Sequence, residues 1–207
     1  FDQLKKEFDW NFLSNLQSLS TLAPGKIVLI FTSTRPLIDI APDALEGGNL
    51  NFYSKKYRGK FLNQLSRAGR YLGMMAEIFR VRNLPEELVF LPLIESGFNM
   101  HAYSPKKAAG PWQFIPGTAI RYGLEINWWV DERRDPVKST IAAAEYLSDL
   151  YGMFGSWNLA LAAYNAGEGK ILKAIKRTNS NDFWTLRNTK HIKRETKNYV
   201  PSYIAAT

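Results

Sequence analysis

Hydrophobic residues recur at helical spacing through most of this chain. In residues 56–82 they follow one another at steps of three and four, at Phe61, Leu65, Ala68, Leu72, Met75 and Phe79. This periodicity is typical of a helix that buries one face. The pattern predicts one continuous helix over residues 56–82, with Gly69 and Gly73 suited to close packing against a neighbouring helix.

The same spacing and its boundary residues predict further helices downstream. Asp135 and Pro136 are typical of a helix start, Ser156 of an N-cap and Gly167 of a helix end. The predicted helices span about residues 118–122, 136–151, 157–166, 168–177 and 194–204, and loops cover residues 99–113 and 123–135. Because no alternating strand pattern occurs in residues 53–207, the prediction is an all-α domain. Residues 1–52, which carry a β-prone run and several turn formers, are predicted to be a less regular N-terminal extension or linker.

One helical stripe ends in an acid. Leu84, Leu88, Leu91 and Glu95 follow one another at steps of four, three and four. Glu95 therefore lies on the face that a helix normally buries. A buried carboxylate without a cation resists ionisation, so its pKa rises and it can donate a proton near neutral pH.

Two prolines lie in the predicted helix that ends at Glu95. Pro85 is expected at its first turn, where the missing backbone N–H costs nothing. Pro92 falls inside the helix and removes one backbone hydrogen bond, which predicts a kink just before Glu95. Ser96 and Gly97 follow at once, so the helix is expected to end where the acid sits.

Composition narrows the chemistry available to the chain. Its 207 residues include 27 Lys and Arg against 19 Asp and Glu, a net charge of +8 that favours anionic partners. It contains no cysteine, which excludes disulfides, thiol catalysis and zinc-thiolate sites. His101 and His191 are its two histidines and lack metal-ligand spacing, so a His-based metal site is not expected. The helices carry mixed charge rather than a basic recognition face, which argues against a nucleic-acid partner.

Three segments carry a family resemblance. They are Glu-Ser-Gly-Phe-Asn at residues 95–99, continuing to Gly-Pro-Trp-Gln at 110–113; Ala-Tyr-Asn-Ala-Gly at 163–167; and Glu-Thr-Lys-Asn-Tyr-Val at 195–200. In this order and spacing they resemble the soluble-lytic-transglycosylase (SLT) family of peptidoglycan lytic transglycosylases, and within it the membrane-bound murein transglycosylase D type. The resemblance covers residues 53–206 and implies a lysozyme-like, mainly helical catalytic domain over residues 53–207.

The resemblance implies a reaction with a single acid. Glu95 would protonate the oxygen between N-acetylmuramic acid and N-acetylglucosamine, and then act as base on the muramic C6 hydroxyl. Attack of that hydroxyl on C1 gives a 1,6-anhydro product without water, and the implied reaction needs no metal or organic cofactor. An ordinary glycosidase needs two carboxylates, whereas an intramolecular nucleophile removes the need for the second. The chain's Asp131-Glu-Arg-Arg-Asp segment is better interpreted as a salt-bridged loop ahead of a capped helix.

Six further residues match the family's motifs and are implied to bind substrate. Gln113 would face the sugar, although Pro111 and Trp112 replace the Leu-Met that commonly precedes it. Trp112 itself is suited equally to sugar stacking or to the core. The resemblance implies that Ser104 orients Glu95 or a sugar acetamido group, while a turn before Pro105 explains it equally well. The other four implied substrate-binding residues are Tyr164, Asn165, Glu195 and Tyr199. Of these, Tyr164 would approach the acid, and Glu195 and Tyr199 would line the far wall of the cleft.

Alternative functions make different demands on the sequence. A goose-type lysozyme would hydrolyse the same bond with water and would need a positioned aspartate. A non-catalytic wall-binding scaffold would not need Glu95, Gln113 and Tyr164 together. The resemblance implies that the partner is the glycan strand of peptidoglycan, and that the protein belongs to the bacterial cell envelope, either periplasmic or membrane-anchored and facing the periplasm. Any membrane association is expected to depend on a segment outside this sequence, because no apolar run approaches the ~20 residues of a membrane span.

Overall fold

The computed structural model describes residues 58–206, which fold into helices joined by loops. The predicted extension at residues 1–52 and the predicted helix start near residue 56 lie outside the described residues. Within residues 58–206 there is no β-strand, only isolated bridges, so the all-α prediction is confirmed. The α-helices are α1 Arg58–Ala68, α2 Leu72–Val81, α3 Leu91–Glu95, α4 Pro116–Arg121, α5 Pro136–Phe154, α6 Trp157–Ala166, α7 Glu168–Thr178, α8 Phe183–Arg187 and α9 Arg194–Ala206. Two 3₁₀ helices, Glu86–Phe90 and Glu132–Arg134, precede α3 and α5.

Helix α6 lies at the centre of this arrangement and packs against α5, α7 and α9. Its first seven residues are all buried, from Trp157 to Ala163. A helix that is apolar on every side is stable only when neighbours surround it, so α6 is the element around which the core forms. Gly167 ends α6 with a φ of 92°, the helix stop that the sequence predicts.

The predicted helix over residues 56–82 is in fact two helices. α1 ends at Ala68, a turn covers residues 69–71, and α2 starts at Leu72. The apolar spacing continues across the turn, because Ala68, Leu72 and Met75 are all buried. Gly69 lies in the turn, and a Cβ there would meet only carbonyl oxygens of α1, so the predicted role of Gly69 in helix packing is wrong.

The segment before Glu95 also differs from its prediction. Pro85 precedes the 3₁₀ helix in an extended conformation, and Pro92 stands in the first turn of α3 rather than inside a longer helix. The missing N–H of Pro92 therefore falls where a helix leaves its N–H groups unpaired. Instead of a kink, the chain changes from a 3₁₀ helix to an α-helix, while Leu88 and Leu91 stay buried as predicted.

The later helices follow the sequence prediction with small changes. Asp135 caps α5 by accepting hydrogen bonds from the backbone N–H groups of Val137 and Lys138, each at 2.8 Å. Ser156 stands at the N-terminus of α6 but makes no side-chain capping bond there, contrary to the prediction. The short α8 was not predicted; Asp182 caps it, and its buried residues are Phe183 and Leu186. Within residues 58–206 no helix combines the length and apolar character needed to cross a membrane.

Candidate active site

Glu95 is the last residue of α3 and lies where α3 packs against α9. The residue keeps part of its surface accessible, but protein atoms surround its carboxyl group. Loss of hydration disfavours the charged form of a carboxyl, and burial is the main reason that the pKa of Glu95 rises from 4.5 to about 7. Glu95 therefore exists in both protonation states near neutral pH.

Tyr199 of α9 is the hydrogen-bond partner of this acid. Its hydroxyl donates a short hydrogen bond to Oε1 of Glu95. Burial, and then the charge of Glu95, raises the pKa of Tyr199 well above 10, so the hydroxyl remains a donor. A hydrogen bond to a carboxylate favours its charged form, and this bond opposes the effect of burial on Glu95. The geometry thus holds one carboxyl oxygen in a fixed direction.

Glu195 lies one helical turn before Tyr199 and is exposed. Its carboxylate forms an ion pair with Lys106 at 3.5 Å. The charge of Glu195 also makes a small contribution to the raised pKa of Glu95. α9 therefore brings a donor and a second carboxylate towards the acid, as the spacing of four residues allows.

The backbone directly after Glu95 is held in a tight turn. Gly97 has a φ of 62° and Phe98 a φ of 56°, and a bulky residue such as Phe98 rarely adopts this conformation. The carbonyl of Gly97 accepts a hydrogen bond from Nε of Arg67 at 2.8 Å, and a Cβ on Gly97 would lie 2.5 Å from the Gln64 amide nitrogen. Contacts with α1 thus hold the chain where it leaves the acid.

Residues 107–114 form a loop that the rest of the site holds from several sides, and we call it the glutamine loop. The hydroxyl of Ser96 donates to the carbonyl of Pro111 at 2.9 Å. The hydroxyl of Tyr164 donates to the carbonyl of Trp112 at 2.8 Å. Gln113 has a φ of 50°, is half-buried, and its amide nitrogen donates to the carbonyl of Gly110 at 2.8 Å. The loop therefore connects the residue after Glu95 with α6.

Trp112 belongs to the core. Its ring is fully buried and stacks on Phe79 with ring centroids 5.7 Å apart, and its Nε1 donates to the Thr140 hydroxyl at 3.0 Å. Of its two predicted roles, the structure shows the core packing rather than an open stacking surface. Its carbonyl, not its ring, reaches the site.

Ser104, Tyr164 and Asn165 each make a hydrogen bond within the protein. The Ser104 hydroxyl oxygen accepts from the N–H of Ala108 at 3.1 Å, which is the turn-forming role. Tyr164 lies near Glu95, whose charge together with burial raises the pKa of Tyr164 well above 10, but its hydroxyl bonds the glutamine loop. The side-chain oxygen of Asn165 accepts from the Thr196 hydroxyl at 2.9 Å, which joins the end of α6 to α9.

Arg133 is a buried cation that sequence reasoning did not assign to the site. Its guanidinium bonds both carboxylate oxygens of Asp131 at 2.7 Å, and it donates to the carbonyls of Lys107 and Phe114 at 2.7 and 3.0 Å. These two carbonyls stand at the two ends of the glutamine loop. A Cβ on Gly110 would lie 1.7 Å from the carbonyl oxygen of Arg133, so the loop passes directly against it.

The predicted ion-paired segment at residues 131–135 is therefore present, and it does more than balance charge. Asp131 also pairs with Arg134 at 3.6 Å, and Glu132 pairs with Lys138. The arginines of this segment were an available signal in the sequence, because a buried, planar guanidinium can donate to several carbonyl and carboxylate acceptors at once. Its partner loop could not be identified from sequence spacing.

The described residues offer no cluster suited to a metal. Within residues 58–206 no group of three or more His, Cys, Asp or Glu side chains could hold a metal ion. What residues 58–206 provide instead is one desolvated acid with a pKa of about 7, a fixed phenol donor and a held loop bearing an amide. A carboxyl group with this pKa can donate a proton and then accept one at the same pH, as general acid–base catalysis requires.

Comparison with known proteins gives a consistent set of similarities. A family model described as a transglycosylase SLT domain matches residues 76–187. The membrane-bound lytic murein transglycosylase D of Escherichia coli strain K12 is 40% identical over 220 residues, which cover 94% of this chain and 48% of that protein. A putative tributyltin chloride resistance protein of Alteromonas sp. strain M-1 is 42% identical over 129 residues, 59% of this chain and 62% of that protein. The chain thus spans about half the length of the curated transglycosylase that it matches.

Solved structures agree on the fold. An inactive mutant of the lytic transglycosylase Slt from Pseudomonas aeruginosa superposes with a TM-score of 0.54 at 26% identity, over 64% of this chain and 22% of that one. The 70 kDa soluble lytic transglycosylase of Escherichia coli gives a TM-score of 0.57 at 18% identity, over 99% of this chain and 41% of that one. The second match, at this identity, supports the fold alone.

Proposed function

Because this chain belongs to the transglycosylase SLT family, we propose that it cleaves the bond between N-acetylmuramic acid and N-acetylglucosamine in peptidoglycan without water. The product would carry a 1,6-anhydromuramic end. The observation that carries the proposal is the burial of the Glu95 carboxyl at the end of α3, where it accepts a hydrogen bond from Tyr199. This burial raises the pKa of Glu95 to about 7. A relative that is 40% identical is named a lytic murein transglycosylase, which supports the same activity.

Glu95 acts twice in the proposed reaction. Protonated Glu95 donates its proton to the bridging oxygen as the C1–O bond breaks, and the carboxylate so formed accepts the proton of the muramic C6 hydroxyl. The oxygen of that hydroxyl then bonds C1. One proton leaves and one returns, so the acid is regenerated. A pKa near the working pH serves both steps, because neither protonation state is scarce.

The surrounding residues take supporting roles in this proposal. Tyr199 orients the Glu95 carboxyl through its hydrogen bond and stabilises the carboxylate formed in the first step. The glutamine loop places Gln113, whose amide can both donate to and accept from a sugar. Ser104, Tyr164 and Asn165 support the loops and helix ends that surround the acid. We place the catalytic domain in residues 53–207 and the protein in the bacterial cell envelope.

A hydrolytic alternative to this reaction would depend on Glu195. It is a second carboxylate near Glu95, and a water-activating base is what a lysozyme-type hydrolysis needs. Glu195, however, is exposed and paired with Lys106. In the proposed reaction Glu195 is therefore not needed as a base, because the substrate provides its own nucleophile.

Digestion of purified sacculi tests the proposal. We expect products with 1,6-anhydromuramic ends, their complete loss in Glu95→Gln, and their continued formation in the matched variant Glu195→Gln. Mass spectrometry of the released muropeptides distinguishes the reactions, because hydrolysis adds one water to each product. Products heavier by one water, together with inactivity of Glu195→Gln, would overturn the proposal in favour of hydrolysis.

A further inference from the structure

Two adjacent tryptophans project from the surface between α4 and α5. The exposed fractions of Trp128 and Trp129 are 89% and 87%, the highest among the large apolar residues of the described chain. Tryptophan is usually well buried because its large ring gains much from leaving water. Neighbouring Val130 is exposed as well, so the three residues form one apolar patch.

The backbone beneath this patch is a preformed turn, residues 126–131, which we call the tryptophan hairpin. An antiparallel bridge pairs Ile126 with Asp131. The side-chain oxygen of Asn127 accepts from the N–H groups of Trp129 and Val130, each at 2.7 Å, and the Asn127 N–H donates to the carbonyl of Val130 at 2.8 Å. The rings are therefore presented on an ordered backbone, and a ligand need not order the turn when it binds.

The base of the hairpin is attached to the candidate active site. Asp131, its last residue, bonds Arg133 through both carboxylate oxygens. Arg133 in turn holds both ends of the glutamine loop, on which Gln113 lies. Motion of the hairpin base relative to Gln113 would break buried, charge-assisted hydrogen bonds. Arg133 therefore links the base of the hairpin to the glutamine loop through direct hydrogen bonds.

The charge of the segment that carries the hairpin favours an uncharged sugar over an anionic lipid as its ligand. Residues 125–138 contain four acids and three bases, a net charge of −1. Each base is ion-paired: Arg133 and Arg134 with Asp131, and Lys138 with Glu132. An anionic lipid surface attracts unpaired Lys and Arg clusters, and this stretch offers none. Exposed, uncharged aromatic faces suit instead the C–H faces of sugar rings, which are attracted to the negative face of an aromatic ring.

We propose that Trp128 and Trp129 form a stacking platform for the glycan strand, outside the site at Glu95. The inference rests on the proposed function for the identity of the polymer, but the platform binds sugar faces whether or not the bond is cut. It would increase the retention of long strands by adding a second point of attachment. Short oligomers that occupy only the site at Glu95 would not depend on it.

Binding in the absence of turnover tests the platform separately from the reaction. All variants are made in the Glu95→Gln background, and their binding to purified sacculi is measured by co-sedimentation. We expect Trp128→Ala/Trp129→Ala to bind about tenfold more weakly, in line with about 1.4 kcal/mol of lost contact. The double Phe variant keeps two stacking rings and should stay within about threefold of the parent. Val81→Ala, at a residue with 66% of its surface exposed in α2, should change nothing.

The outcomes separate the two proposals. Unchanged sacculus binding by the double Ala variant would overturn the platform, and so would tryptophan-dependent binding to phosphatidylcholine vesicles without binding to sacculi. Anhydro products are measured independently in the chain with Glu95 intact. Their absence would refute the proposed reaction while leaving a tryptophan-dependent sacculus affinity in place. Circular dichroism of each variant checks that the hairpin replacements leave the helices folded.

Discussion

Replacing the candidate catalytic acid should make the protein more stable at alkaline pH. In Glu95→Gln the carboxyl becomes an amide of nearly the same shape, whose carbonyl still accepts the hydrogen bond of Tyr199. Above neutral pH the natural protein holds a desolvated carboxylate at this position, whereas its unfolded chain holds a hydrated one. The amide removes that difference, so the variant is expected to lose activity and gain stability together.

The magnitude follows from the pKa of Glu95. A rise from 4.5 to about 7, at 1.36 kcal/mol for each pH unit, corresponds to roughly 3 kcal/mol. Between these two values the folded state retains a proton that the unfolded state has lost. The free energy of unfolding therefore falls as pH rises through this window, and the full cost is present above about pH 7. Below pH 4.5 both states are protonated and the cost disappears.

Urea unfolding of the two proteins from about pH 4 to about pH 8 measures this difference. We expect closely similar free energies of unfolding at the acidic end and an advantage of roughly 3 kcal/mol for Glu95→Gln at the alkaline end. The same advantage is expected to raise Tm by roughly 6–12 °C for a domain of this size. Glu145→Gln, an exposed site on α5, is the matched control and should stay within about 0.5 kcal/mol throughout.

Two results would refute the reasoning. An advantage of Glu95→Gln that does not vary with pH would mean that packing, and not the desolvated charge, separates the two proteins. A variant less stable than the natural protein at about pH 8 would mean that the carboxylate is held favourably. In that case burial would not be the dominant influence on the pKa of Glu95.

Three further predictions follow from the contacts around the acid. Tyr199→Phe removes the hydrogen bond that favours the Glu95 carboxylate, so the pKa of Glu95 should rise further. The alkaline limb of the pH–activity profile should then move to higher pH, and a shift to lower pH would contradict this. Arg133→Ala leaves buried carbonyls and a carboxylate without their partner, so the free energy of unfolding measured in urea should fall by about 3–5 kcal/mol. A decrease below about 1 kcal/mol would contradict the role of Arg133 in holding the glutamine loop. Gly110→Ala places a Cβ 1.7 Å from the Arg133 carbonyl at a φ of 79° and should lower Tm sharply, while Gly117→Ala in α4, with no atom within 4 Å of its Cβ, should not.

The sequence predicted those parts of the fold that depend on local periodicity. The buried stripe through Leu88 and Leu91 is present, and so is the cap of α5 by Asp135. The break at residues 69–71 was missed because the apolar spacing continues across the turn. Helix α8 was missed because five residues are too few for periodicity, although Asp182 before a pair of apolar residues was an available signal.

The candidate site was predictable only in part, for a related reason. Helical spacing placed Glu95 on a buried face, and the structure gives a desolvated carboxyl there. Which tyrosine hydroxyl reaches it depends on how α3 packs against α9, and spacing along the chain carries no information about that distance. The structure selects Tyr199 and directs the hydroxyl of Tyr164 to the Trp112 carbonyl instead. The attachment of Arg133 to the glutamine loop is likewise a tertiary contact.

The hydrogen bond between Tyr199 and Glu95 joins positions 104 residues apart, so the orientation of the acid depends on a long-range tertiary contact. A second long-range bond, from Tyr203 to the Glu87 carbonyl, ties the same helix to the segment before the acid. A chain interrupted between α8 and α9 would keep the carboxyl but lack its donor. The oriented acid is therefore a property of the complete fold, and the docking of α9 against α3 is a condition for it.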